Sequence, residues 1–315
     1  EDGFHVYPTS GSARQVRDRL VRVVREAGVA TRTDAAVESL TLHEGAIAGV
    51  RTAGGEIPCG RVVLATGGPA YPTLGATRDG YSLAHSAGHD VVEPTPALVP
   101  LVAVEGWCEE LAGVSLDDVH LWIDRPRHRQ GGRRGAMLFT HTGVSGPAVL
   151  DLSGDVAELL QRESAVPLRV NLCADETTGS WQQRLASWRR ERPAEKVERL
   201  LSAHLPRSLA AVLCRLAGQV GEGTASGLSG ARAHALSELL ARLELTAIGT
   251  GGFQRAMVAR GGVSLKQVDP GTLESRVAPG LHFAGELLDL DGPCGGYNLQ
   301  WAFSSGALAG RRAAV

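Results

Sequence analysis

No stretch of the 315 residues approaches the roughly 18 consecutive apolar residues that a membrane-spanning helix requires. No Cys-x-x-Cys pair exists either. The five cysteines, at 59, 108, 173, 214 and 294, are odd in number and widely spaced, and they read as reduced thiols, not as a zinc or disulfide framework. No His or Cys pair has ligand spacing, so no metal is expected. With no signal peptide in view, the thiols point to a cytoplasmic protein. Neither charge sign is in large surplus: the net charge of −2 gives no bulk attraction to nucleic acid or to an anionic membrane, and neither is expected as a partner. Ser145 lacks a Gly-x-Ser-x-Gly elbow, and no Ser–His–Asp or Cys–His arrangement is identifiable. A strand followed by Gly-x-Gly-x-x-Gly is missing as well. The nearest run, Gly221 to Gly227, has the wrong spacing and follows the helix-type segment Leu209 to Gly218, so it reads as a loop. A nicotinamide-only dehydrogenase fails on that ground.

What is present is a chain that is 43% hydrophobic, long enough for two or three domains, with 40 glycines. Residues 14 to 27 place Val16, Leu20, Val23, Val24 and Ala27 at helical spacing, with Arg and Glu side chains opposite. A short β-meander then leads into Arg61-Val62-Val63-Leu64-Ala65, continuously apolar as a strand covered on both faces should be. It ends in Thr66-Gly67-Gly68. Ligands of open α/β sheets sit at the carboxyl ends of strands, which makes Ala65, Thr66, Gly67 and Gly68 candidate ligand neighbours; a tight turn needing positive φ explains the same glycines. A helix from Tyr81 to Ala87 follows, and the proline-rich stretch 94 to 100 marks a domain boundary. Short strand-like pieces between 98 and 175 predict a small barrel or sandwich, and the Leu-, Ala-, Arg- and Glu-rich segment from Trp181 to Leu245 predicts a helical part.

Near the end, a β-type run Leu281-His282-Phe283-Ala284 passes through Gly285-Glu286 and a loop holding Asp289 and Asp291. It enters a helical segment through Gly295-Gly296-Tyr297-Asn298. Paired glycines at a helix start leave backbone N–H groups facing outward at the positive end of the helix dipole, which suits an anionic or electron-rich ligand. His141, in Phe139-Thr140-His141-Thr142-Gly143, is the candidate proton donor, since histidine as a residue type titrates near neutrality; a lone histidine is more often structural. The basic run Arg125 to Arg129 with Arg133 and Arg134 reads as a solvated loop.

Four runs in order, Val62 to Tyr81, Leu138 to Ala148, Arg260 to Val263 and Leu281 to Gly306, resemble the NAD(P)/FAD-dependent flavoproteins that include aminoacetone-oxidase-like and bile-acid-reductase-like enzymes. The resemblance implies an α/β, Rossmann-like FAD-binding core with an inserted β-barrel-like and helical subdomain. It also implies that the family's first βαβ unit, with its Gly-x-Gly-x-x-Gly turn, is missing ahead of Glu1. The expected division is a discontinuous FAD domain of residues 1–93 and 271–315, a β-rich subdomain of 94–180 and 246–270, and a helical subdomain of 181–245. By the same resemblance the activity is FAD-dependent oxidoreduction of a small organic substrate, with NAD(P)H or oxygen as redox partner. Ala65, Thr66, Gly67, Gly68, Gly285, Glu286, Gly295, Gly296, Tyr297 and Asn298 would then line the cofactor, Glu286 accepting from a cofactor hydroxyl. The competing expectation is a non-catalytic or partner-dependent fragment that does not hold FAD alone.

Overall fold

The computed structural model describes residues 6–128, 131–218 and 223–315. Arg129 of the basic run and Gly221 and Glu222 of the glycine loop lie outside the described residues. The chain divides into two units: one takes in the chain up to Gly68, Thr77–Glu93 and Gly261–Val315, and the other Pro69–Ala76 and Pro94–Arg260.

The first unit opens with α1 (Ala13–Glu26), which forms where helical spacing predicts it. None of its residues is buried: Val16, Leu20, Val23 and Val24 stay between 38% and 47% exposed. An antiparallel meander follows, β1 (Val37–His43), β2 (Ala46–Thr52) and β3 (Gly55–Pro58). Glu44 and Gly45, both at positive φ, make the two-residue turn whose twist matches the flanking strands. Then come β4 (Val62–Leu64), α2 (Asp79–Ser86) and β5 (Val91–Ala97), which carries the chain into the second unit.

That unit contains β6 (Leu101–Ala103), α3 (Trp107–Glu110), β7 (Ser115–Ile123), β8 (Arg133–Thr140), β9 (Gly143–Ser145), α4 (Pro147–Leu160), β10 (Val166–Asn171), four further helices α5 (Thr178–Glu191), α6 (Val197–Leu201), α7 (Arg207–Leu216) and α8 (Gly230–Arg242), and β11 (Leu243–Thr250). Six strands close into an antiparallel barrel in the order β10-β11-β6-β9-β8-β7. Strand periodicity explains the closure. Buried and less buried positions alternate along β10, and Val119, Leu121 and Ile123 repeat every second residue on β7 with almost no exposure. The helical segment is not a separate body. Trp181 and Leu185 of α5, Leu209 and Leu213 of α7, and Leu240 of α8 join Leu121, Phe139, Leu168 and Leu245 of the barrel in one core. Each such large apolar side chain contributes roughly 1.5–3 kcal/mol by leaving water, so the two parts that composition sets apart stabilise each other.

The chain returns along β12 (Val258–Val263), re-entering the first unit at Gly261, ten residues earlier than the sequence suggested. β13 (Leu281–Phe283) and α9 (Tyr297–Ala313) complete it. Its core gathers Leu64, Tyr81, Leu83, Val263, Leu281, Phe283 and Leu287.

His89 is buried in this core, 2% exposed, with Nε2 at 2.7 Å from Ser275 Oγ and its ring edge-on to Phe283 at 4.8 Å. Burial lowers its pKa below the ordinary histidine value, against a weaker opposing pull from Asp90. The unfolded chain therefore binds more protons than the folded one just below pH 6.5, the ordinary value. Stability is expected to be flat above that pH and to fall as pH drops through it. Urea unfolding between pH 5 and 8 checks this, and His89→Gln should flatten the slope.

Candidate functional site

β4 and β13 pair in parallel with Leu281 opposite Val62, His282 opposite Val63 and Phe283 opposite Leu64, and the ladder continues from the Ala284 N–H to the Leu64 carbonyl at 3.0 Å. Both strands therefore end side by side. One runs on into Ala65-Thr66-Gly67-Gly68, the other into Gly285-Glu286, so the two sets of residues expected at the cofactor occupy adjacent strand ends, where open α/β sheets bind ligands. Ala65 and Thr66 are exposed, and Glu286 is partly so.

Close backbone approach holds the two turns together. A Cβ on Gly68 would collide with Glu286 Oε1, so the carboxylate lies directly over bare main chain. A Cβ on Gly80, in the first turn of α2, would collide with Thr66 Oγ1 and stand 3.0 Å from Leu287 Cδ1. A third strand arrives at the same place. Val263 at the end of β12 bridges Leu288 in parallel, its carbonyl accepts the Asp289 N–H at 3.0 Å, and Gly262 sits where a Cβ would be 2.6 Å from the Leu287 carbonyl oxygen.

The turn after β13 is tied to α9. Gly285, at φ 73°, donates its N–H to Ser305 Oγ at 2.9 Å, and its carbonyl accepts the Trp301 indole N–H at 3.1 Å. The intervening loop is closed by Asn298, whose Oδ1 accepts from the Gly292 N–H and whose Nδ2 donates to the Gly292 carbonyl, both at 2.8 Å. Asn298 thus spends its amide on the loop and acts as a clamp; a side chain already bonded twice to Gly292 has little left for a ligand. Gly295 and Gly296, at φ 117° and 89°, turn the chain into α9, whose first amides have no carbonyl partner within the helix. Tyr297 is 48% exposed at this helix start and takes no part in the core.

Two residues of this site were not among the candidate ligand neighbours. Gly80 packs α2 onto Thr66; a glycine directly after Asp79 at a helix start was the available signal. Tyr81 is 6% exposed, and its hydroxyl has no hydrogen-bond partner among the described residues. Burial raises its pKa, Glu286 being the next largest cause. Nothing in spacing alone distinguishes a buried phenol of this kind from a core aromatic. His141 lies in the other unit, exposed on the turn between β8 and β9. Among the described residues no cluster of His, Cys, Asp and Glu forms a metal site, and no helix is long and apolar enough to cross a membrane.

Comparison with known proteins places residues 1–312 in a match to the family described as HI0933-like protein Rossmann domain. The chain is 35% identical over 313 residues to the 3-dehydro-bile acid delta(4,6)-reductase of Clostridium scindens, covering 99% of this chain and 76% of that protein. It is 33% identical over 297 residues to the ribosomal RNA dihydrouridine synthase of Escherichia coli, covering 93% of this chain and 70% of that protein. A protein of the same name from Haemophilus influenzae is 31% identical over 250 residues, covering 78% of this chain and 58% of its own.

Gly262→Ala tests the packing of the three strand ends. A side chain at φ 131° with a carbonyl oxygen 2.6 Å from its Cβ is expected to cost about 2–4 kcal/mol of stability in urea unfolding, strain and overlap adding.

Proposed function

This chain belongs to the HI0933-like Rossmann-domain family, and on that premise we propose that it is an FAD-dependent reductase that saturates a carbon–carbon double bond conjugated to a carbonyl in a small organic substrate, with NAD(P)H as electron source. The observation that carries this reading is the junction of β4 and β13, where two glycine turns and the Glu286 carboxylate meet at adjacent strand ends.

The residues present fit a flavin. Glu286 is an acceptor-only group suited to hydroxyls of the ribityl chain. Bare backbone at Gly67, with open space where a Cβ would stand, admits close approach. The outward amides at Gly296, Tyr297 and Asn298 suit negative charge on the pyrimidine edge of the ring. A bound flavin supplies two-electron hydride chemistry, and the chain's part is to orient it and to stabilise charge on it.

The names of the relatives narrow the substrate. A delta(4,6)-reductase of a 3-dehydro bile acid and a synthase of dihydrouridine both, by their names, remove unsaturation next to a carbonyl, one from a steroid and one from a nucleobase. A small molecule is favoured here because three arginines of the basic run are engaged within the chain: Arg125 pairs with Glu163, Arg133 with Asp155, and Arg134 with both Asp118 and Asp175. A net charge of −2 adds no long-range attraction.

Titration of the purified chain with FAD, followed by quenching of flavin fluorescence, is expected to give saturable binding that survives desalting; its absence overturns the reading. With FAD bound and NADPH supplied, a 3-oxo-Δ4 steroid is expected to be reduced and a uridine-containing RNA is not; the reverse outcome transfers the assignment to RNA.

A further inference from the structure

A buried hydroxyl without a partner is destabilising, and phenylalanine would fill the same space without that cost. Tyr81 carries such a hydroxyl, in the first turn of α2 and beside the Glu286 carboxylate. The place where a Gly68 Cβ would stand is 3.1 Å from Tyr81 Oη and in collision with Glu286 Oε1, so phenol and carboxylate converge on one patch of bare backbone. Among the charged neighbours Glu286 is the largest influence keeping the phenol protonated; Asp289 and Glu93 act the same way, and Arg78 opposes them. The group is therefore a neutral donor at any working pH. Its oxygen is shielded from solvent whereas Glu286 is partly exposed, so whatever Tyr81 does for a ligand passes through Glu286.

We propose that Tyr81 is a positioning residue for Glu286: when a hydroxyl-bearing cofactor occupies the strand-end site, the phenol O–H donates to one carboxylate oxygen and fixes the other toward the ligand's hydroxyl. The inference rests on the flavin reading and assigns an orienting partner to its acidic residue. It also accounts for a cost carried by the ligand-free fold, since the bond that satisfies the phenol forms when the carboxylate is drawn into its bound orientation.

The test is Tyr81→Phe, alone and with Glu286→Gln, measured by thermal unfolding of the ligand-free chain and by FAD titration, with the unaltered chain in parallel. Tyr81→Phe is expected to leave the ligand-free unfolding midpoint unchanged or raised while weakening FAD binding about tenfold, the size of a charge-assisted hydrogen bond. In the Glu286→Gln background the same replacement should cost only about threefold, because a bond to a neutral acceptor is roughly half as strong. A lowered midpoint shows that the phenol is already bonded in the free fold and overturns the proposal. So does FAD affinity within about twofold of the parent, or an equal loss in both backgrounds; the flavin reading survives each of these. If the unaltered chain itself fails to bind FAD, both fall together.

Discussion

The parallel ladder between β4 and β13 is the constraint on which the site depends. Three pairs of residues from opposite ends of the chain set the register, and that register brings the turn after Leu64 beside the turn after Phe283. Everything chemically useful follows from the adjacency: the carboxylate over Gly68, the first turn of α2 against Thr66, and the end of β12 against the loop that follows Leu287. At Gly262 the neighbour is main chain and cannot yield, whereas at Gly68 and Gly80 side-chain ends would have to move to admit a Cβ. The surface at these strand ends is thus made largely of main chain, with few polar side chains set into it.

The barrel unit solves a different problem. Its strands bury alternate residues inward, and α5, α7 and α8 cover what the barrel leaves, so Trp181 and Phe139 end in the same core. Several of its surface arginines pair with its own carboxylates, Arg134 with two of them. Exposed pairs of this kind contribute little to stability. Their larger effect is to cancel the field that a polyanion would follow.

Much of this was legible in the sequence because the relevant signals are local. The apolar run ending in Thr66-Gly67-Gly68 and the acidic turn Gly285-Glu286 declare strand ends, and the structure places them side by side. Short strands between 98 and 175 announced a small barrel or sandwich, and the six-strand closure depends on β11, which lies beyond the helical segment and pairs with both β10 and β6. What stayed hidden is non-local. The side chain of Asn298 is one such case: its two bonds go to Gly292, a relation fixed by loop geometry, which leaves the backbone amide as its only group for a ligand. Tyr81 stood only as the first residue of a predicted helix, since its lack of a partner among the described residues, beside a carboxylate from more than two hundred positions away, shows only in the folded chain. The earlier return boundary follows from β12, one strand shared between the two units at Arg260 and Gly261.

The wide separation of β4 from β13 also bears on how the molecule is made. On a ribosome, nearly every piece of the barrel emerges before Leu281 exists, whereas the Val62–Leu64 strand must wait for on the order of 200 further residues. At typical elongation speeds that is roughly 10 to 40 seconds. During that interval an apolar strand edge is open to pairing with any neighbour. Nascent-chain handling, more than final packing, becomes the vulnerable stage in the life of this fold.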